Sequence, residues 1–156
     1  QYSKIHLFKP MDEARYFVPV NSPTAFELDG IRMTTIICYD LRFPELTRKL
    51  YVGYQPEIVF VPMAWPAPRT EIFRTLMRAR AIENQCFMVS ANRVGTDGKA
   101  SFEGYSMVAD PLGRVVAELP HEQGVLDVDI DMNMVRDTRL LISPLADRRE
   151  EVYAEI

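Results

Sequence analysis

Ile31-Arg32-Met33-Thr34-Thr35-Ile36-Ile37-Cys38-Tyr39-Asp40-Leu41-Arg42-Phe43-Pro44-Glu45 passes from an apolar, β-branched run into a proline-started segment, with a cysteine at the joint. Ile31 to Ile37 reads as a strand that ends at Cys38. Pro44 suits the first turn of a helix, and Glu45, Leu46, Leu50 and Tyr51 follow at helical spacing. Just upstream, Ala25-Phe26-Glu27-Leu28 leads into Asp29-Gly30, a strong two-residue turn signal, so the strand is the second half of a hairpin. A strand handing over to a helix through a tight turn is the unit from which α/β layers are built.

The same alternation continues outward. Glu57 to Pro62 is a near-continuous apolar run that reads as a strand buried on both faces. After a proline-rich loop (Ala64 to Arg69), Thr70 to Gln85 carries an apolar stripe of Ile72, Phe73, Leu76, Met77, Ala79 and Ile82, with Arg74, Arg78 and Glu83 largely off it. Cys86 to Ala91 is the next buried strand. Glu103 to Ala109 and Arg114 to Glu118 flank the turn Asp110-Pro111-Leu112-Gly113, and the alternating Val125 to Ile130 predicts a further strand. Beyond Arg136 the tail is expected to pack on a neighbour. With no low-complexity tract, linker or repeat, residues 1–156 predict one domain, a layered α/β sandwich with mixed sheets.

The chain of 156 residues is long enough to bury a core, and 47% hydrophobic against 26% charged residues excludes a disordered chain. A net charge of -4 gives no electrostatic reason to expect nucleic acid. No apolar stretch approaches the roughly 20 residues of a membrane span, and the N-terminus has no signal-peptide pattern. The chain opens on Gln1 rather than Met, so it is expected to begin inside a longer protein. Two cysteines with no sign of secretion point to a reducing cytoplasm.

Cys38 is the residue with chemical promise. A thiol at a strand end, on a tight turn into a helix, is held with little freedom while the turn aims backbone N–H groups at whatever it attacks. Most lone cysteines are small core residues, so position alone leaves both readings open. A Cys-His pair finds no support, because His121 lies in a polar loop and His6, flanked by apolar residues, reads as structural. No Cys or His pair has zinc-ligand spacing. Asp40 and Arg42 are expected to brace the turn by a salt bridge or backbone hydrogen bonds. Trp65 and Arg69 follow a buried strand, where α/β sites gather their loops, so Trp65 is a candidate pocket wall and Arg69 a candidate grip for a substrate carboxylate. Met63, Met77, Met88 and Met107 read as core filler and Cys86 as inert.

Tyr2-Ser3-Lys4-Ile5-His6-Leu7-Phe8 together with Ile37 to Glu45 resembles two signature segments of the nitrilase superfamily of carbon–nitrogen hydrolases. Arg78-Ala79-Arg80-Ala81-Ile82-Glu83-Asn84-Gln85 and the Asp110 to Gly113 turn match further, so the likeness runs almost the length of the chain. Trp65 to Arg69 and Ala91 to Gly95 look most like the ω-amidase branch. The resemblance implies an αββα sandwich whose N-terminal part is absent, and a Glu-Lys-Cys triad with Lys4 as its lysine and Cys38 as its nucleophile. Its glutamate would lie upstream of this chain. An ammonium near the thiol would favour the thiolate, and with the Tyr39 backbone N–H it would stabilise an oxyanion. Glu13 matches an auxiliary glutamate that orients the lysine or the substrate.

By the same resemblance the substrate is a small linear amide such as 2-oxoglutaramate, with no metal or organic cofactor. Partners would be further copies of the chain, as a homodimer or larger, meeting through the Thr70–Gln85 helix and the tail. A nitrile, an N-carbamoyl compound or deaminated glutathione are the alternative substrates, and an inactive fragment that only binds or dimerises is the alternative role.

Overall fold

The computed structural model describes residues 2–153. Strands β1 (Ala25–Leu28) and β2 (Ile31–Thr35) form the expected hairpin, pairing Ala25 with Thr34 and Leu28 with Ile31. Asp29 and Gly30 between them have φ of 52° and 78°, the positive values that a two-residue hairpin turn requires. Helix α1 (Pro44–Tyr54) starts with its proline in the first turn and carries the chain to β3 (Ile58–Met63), parallel to β2. Helix α2 (Thr70–Asn84) then leads to β4 (Phe87–Asn92), parallel to β3. The chain continues through β5 (Val94–Thr96), β6 (Ser101–Ala109) and β7 (Val115–Pro120), all antiparallel to their neighbours. The seven-stranded mixed sheet has the order β1-β2-β3-β4-β6-β5, with β7 also paired to β6.

Helices α1 and α2 cover one face. Leu46 and Leu50 of α1 and Phe73, Met77 and Ala81 of α2 close on Val59, Val61, Met63, Met88 and Met107 of the sheet. Burying a large apolar side chain stabilises by about 1.5–3 kcal/mol, so this layer contact dominates the energetics. The four methionines expected in the core are buried there. The stripe predicted for α2 needs correction. Ile72 and Ile82 are exposed, while Thr70, Arg80 and Asn84 are buried with Phe73, Met77 and Ala81. The buried face is partly polar because it anchors the turn that follows β2: Arg80 Nε donates to the Leu41 carbonyl at 3.2 Å.

The other face carries a smaller core of Met33, Ile58, Phe87, Val108 and Val135. Val125 to Ile130 runs across it with Leu126, Val128 and Ile130 turned inward, but it forms no strand, because its backbone finds no ladder partner among the described residues. The alternation was a true signal of a one-sided extended segment, not of pairing. This cover reaches only part of β3, where Phe60 is half-buried and Pro62 exposed, so the strand is not buried on both faces as expected. The described residues therefore supply a mixed sheet with helices on one face, the α/β half of the expected sandwich.

The tail is also anchored differently. Helix α3 (Asn133–Leu141) buries Val135, and Arg139 donates to the carbonyls of Gln85, Gln55 and Pro56. Gln55 and Gln85 are the left-handed caps that end α1 and α2. Arg139 thus places its cation on two helix C-termini, where it is favoured, and this part of the tail closes on its own chain. No described helix is long and apolar enough to cross a membrane.

Candidate active site

Strand β2 stops at Thr35 rather than at Ile37. The Ile36 N–H still bonds to the Phe60 carbonyl at 3.0 Å, but the Ile37 N–H turns away to Asp40 Oδ2 at 3.1 Å. Cys38 opens a single turn of 3-10 helix, Cys38–Arg42, with a φ of 48°. A non-glycine residue in that region stores strain of about 1–3 kcal/mol, which persists only where the surroundings fix it. Here the Asp40 N–H returns to the Ile37 carbonyl at 3.0 Å, and Leu41 behind the turn is fully buried. The result is a half-buried thiol on a braced turn, lining a cleft.

That cleft, about 630 Å³, brings Lys4, Glu13 and Cys38 together with Ile37, Pro62, Met63 and Ala64. Lys4 Nζ donates to both carboxylate oxygens of Glu13, at 2.7 and 2.8 Å, with the two side chains only 10% and 20% exposed. Glu13 also accepts the Phe8 N–H at 2.7 Å.

The thiol's environment departs from expectation. Burial pushes the Cys38 thiol up, and the Glu13 carboxylate adds to the rise. Against these act the Ala64 backbone N–H, the Lys4 ammonium and the Tyr39 backbone N–H, in that order. The net direction is upward, not the lowering expected from a neighbouring lysine. The physical reason is burial, which penalises the thiolate more than the Lys4 ammonium and the backbone N–H groups favour it, while Glu13, in contact with Lys4, offsets part of the lysine's effect. The Ala64 N–H was missed in the sequence, because it comes from the loop after β3 and no residue type marks it.

Asp40 does brace the turn, but not through Arg42. Its oxygens accept from the Ile37 N–H, the Tyr2 hydroxyl at 2.9 Å and the His6 N–H at 2.8 Å. Arg42, left without that partner, lies over the Trp65 ring at 4.9 Å and lines a narrow recess of about 20 Å³ with Cys38, Tyr39 and Arg69. His6 is structural as expected, its Nδ1 2.8 Å from Asp40 Oδ1 and its ring stacked on Phe43 at 3.6 Å.

Trp65 is almost completely buried, so it floors the recess rather than walling an open pocket. Its Nε1–H donates to the Arg69 carbonyl at 2.9 Å, and its backbone N–H to Asn92 Oδ1 at 2.8 Å. Arg69 is half-exposed, with its guanidinium 5.5 Å from the Phe8 ring centre. Among the described residues neither Arg42 nor Arg69 is paired with a carboxylate. Cys86 is fully buried, its thiol pushed up to about 12 by desolvation, and stands apart from this site.

Comparison with known proteins identifies the family. The model of the carbon-nitrogen hydrolase family matches residues 1–140, and the chain belongs to that family. It is 39% identical to the 2-oxoglutaramate amidase of Bacillus subtilis over 153 residues, covering 98% of this chain and 59% of that protein. Its fold matches the crystal structure of XC1258 from Xanthomonas campestris, a CN-hydrolase superfamily protein with an arsenic adduct in its active site. There the TM-score is 0.89 at 30% identity, over 95% of this chain and 58% of that one. A variant of the Nesterenkonia amidase, carrying the acetamide moiety of fluoroacetamide covalently on its active-site cysteine, matches with a TM-score of 0.83. Identity there is 32%, over 99% of this chain and 55% of the other. The chain thus spans little more than half the length of these relatives.

Proposed function

We propose that the protein carrying this chain hydrolyses the C–N bond of a small linear amide through a thioester on Cys38. The observation that carries this is the placing of a strained, half-buried thiol, with two backbone N–H groups acting on its sulfur, in one cleft with Lys4. The relatives support it: one acts on 2-oxoglutaramate by its name, and another carries the acetamide moiety of fluoroacetamide covalently on its active-site cysteine, so that the cysteine is a nucleophile there.

Because the Cys38 thiol is pushed up rather than down, the attack needs a base. The triad glutamate implied by the family resemblance, outside this chain, takes the thiol proton as Sγ bonds to the amide carbon. The carbonyl oxygen becomes an oxyanion facing the Tyr39 and Ala64 N–H groups and the Lys4 ammonium. The C–N bond breaks, the proton goes to the leaving ammonia, and water then attacks the thioester to release the carboxylate and restore the thiol. Glu13 holds Lys4 in place. Arg42 and Arg69, without carboxylate partners, are suited to receive a carboxylate at the far end of the acyl chain, which favours an ω-amide such as 2-oxoglutaramate.

We place the chain in one hydrolase domain that acts in the cytoplasm as a homodimer or larger. The exposed Ile72 and Ile82 of α2 and Leu140 and Leu141 of α3 support such a contact. The raised Cys38 thiol also favours a second reading for the chain by itself: lacking a base, it binds amides without turning them over.

The test is ammonia release by the full-length protein from 2-oxoglutaramate, a nitrile and an N-carbamoyl amino acid, beside release of cysteinylglycine from deaminated glutathione. The ω-amide is expected to be turned over fastest, and Cys38→Ala to abolish turnover. Activity retained by Cys38→Ala would overturn the mechanism, and a faster nitrile or N-carbamoyl substrate would overturn the substrate class.

A further inference from the structure

Asp40 is fully buried, yet among the described residues no lysine or arginine neutralises it. Its carboxylate is instead filled by donors from two separate stretches of chain. From its own turn comes the Ile37 N–H, at 3.1 Å. From the N-terminal stretch come the Tyr2 hydroxyl at 2.9 Å, the His6 N–H at 2.8 Å and His6 Nδ1 at 2.8 Å, with a longer contact from the Ile5 N–H at 3.5 Å. Tyr2 and His6 lie two residues before and two residues after Lys4. Ile37 and Asp40 likewise bracket Cys38. One carboxylate therefore ties the chain on both sides of the lysine, through the Tyr2 hydroxyl and the His6 N–H, to the turn that carries the nucleophile.

We infer that Asp40 is a positioning residue, one whose carboxylate sets the distance between Lys4 and the Cys38 sulfur by clamping residues 2 and 6 onto the nucleophile turn. This inference rests on the reading of Lys4 and Cys38 given above. The division of labour is visible in the contacts. Glu13 fixes the head of the lysine, through Nζ, while Asp40 fixes its backbone. The His6 ring stacked within 9° of parallel on Phe43, the last residue before α1, adds a second tie between the same two stretches. Charge-assisted bonds to a buried carboxylate are short, strong and directional, which is what a distance-setting clamp requires. Burial and the neighbouring carboxylate push the Tyr2 phenol far above its ordinary value, so it remains a donor throughout the working pH range.

A residue that merely stabilises the fold would not alter the electrostatics at the sulfur in a protein that stays folded. The experiment therefore follows alkylation of Cys38 by iodoacetamide against pH in the full-length protein, with peptide mapping, for Asp40→Asn, Tyr2→Phe and Lys4→Met. Fully buried Cys86 serves as the internal monitor of folding, since it labels only when the core opens. Lys4→Met is expected to raise the pH midpoint of Cys38. Asp40→Asn is expected to raise it in the same sense, and Tyr2→Phe by less, with Cys86 protected in all three. In turnover assays Asp40→Asn is expected to lower kcat about tenfold or more with a smaller change in KM, the pattern of a lost transition-state interaction. A shift in Lys4→Met with none in Asp40→Asn, Cys86 remaining protected, overturns the positioning role and leaves the catalytic reading intact. No shift in Lys4→Met overturns the role of the lysine and this inference with it. If Asp40→Asn labels Cys86, Tyr2→Phe decides by the same two arms.

Discussion

Glu13 grips Lys4 Nζ with both of its carboxylate oxygens, at 2.7 and 2.8 Å, while the same carboxylate takes the Phe8 N–H. The lysine therefore reaches the cleft as half of an ion pair. Its field at the Cys38 sulfur is opposed by Glu13, and burial then carries the thiol upward. In this arrangement the glutamate trades reactivity of the resting thiol for a fixed ammonium.

Replacing Glu13 by Gln separates those two roles. Removing the negative charge leaves Lys4 uncompensated, so the pH midpoint for alkylation of Cys38 is expected to fall. Holding Lys4 with one neutral acceptor loosens its placement, and turnover by the full-length protein is expected to drop by about 10- to 100-fold, the cost of a small misplacement at a reacting centre. Opposite movements of labelling and turnover are the result sought. A midpoint that rises instead would show that Glu13 does not oppose the lysine's field.

Arg42 and Arg69 offer a test of specificity. Charged hydrogen bonds to a carboxylate are worth about 1.5–3 kcal/mol, or roughly 10- to 150-fold in binding. Arg42→Ala and Arg69→Ala are expected to raise KM by that order for amides ending in a carboxylate and to leave uncharged amides of similar length nearly unchanged. Measuring both substrate types on each variant checks it. An equal loss on both would mean that the arginines shape the recess and do not read the substrate's charge.

Much of this architecture was legible in the chain. Asp29-Gly30 specified the hairpin and Pro44 the start of α1, because both depend on local backbone preferences. The readings that failed depended on what lies across a surface. The pattern of α2 could not reveal that Arg80 is buried to hold Leu41, nor that Ile72 and Ile82 face outward. Val125 to Ile130 showed its one-sided burial in its alternation but not its lack of a partner strand. At the proposed site, Cys38 was singled out by its place on the turn and Lys4 by segment likeness, whereas Ala64 contributes only a backbone N–H and so leaves no trace in residue type. Of the two ties expected at the turn, Asp40 makes the backbone hydrogen bond, to the Ile37 N–H, and the salt bridge to Arg42 does not form, for a related reason. Spacing made it plausible, but donors from Tyr2 and His6, more than 30 residues away, had already filled the carboxylate.

Asn92 is the hinge on which the Trp65 loop hangs. Its Oδ1 accepts the Trp65 N–H at 2.8 Å, its Nδ2 donates to the Gly104 carbonyl at 2.6 Å, and its own N–H bonds to Ser106 Oγ at 2.9 Å. Asn92→Ala leaves the first two of these partners unsatisfied in a region of low exposure. A loss of about 1–3 kcal/mol in unfolding free energy is expected from denaturant titration. Because Trp65 is the only tryptophan in the chain, its fluorescence should report the loosened loop before global unfolding.

Cys86 predicts the behaviour of the fold at high pH. Its thiol is pushed up to about 12 by burial, whereas in the unfolded chain it titrates near its ordinary value of about 8.5. Below the unfolded value both states hold the proton and stability does not depend on pH through this group. Above it the unfolded state loses the proton while the folded state keeps it, so rising pH favours unfolding. The contribution falls by up to about 1.4 kcal/mol per pH unit between roughly 8.5 and 12. Cys86→Ala removes the titrating group at the cost of a small cavity. Its unfolding free energy is expected to be lower than that of the natural chain at neutral pH but flatter between pH 9 and 11, so the gap between the two narrows as pH rises. Parallel curves across that range would show that the Cys86 thiol is not the source of alkaline instability.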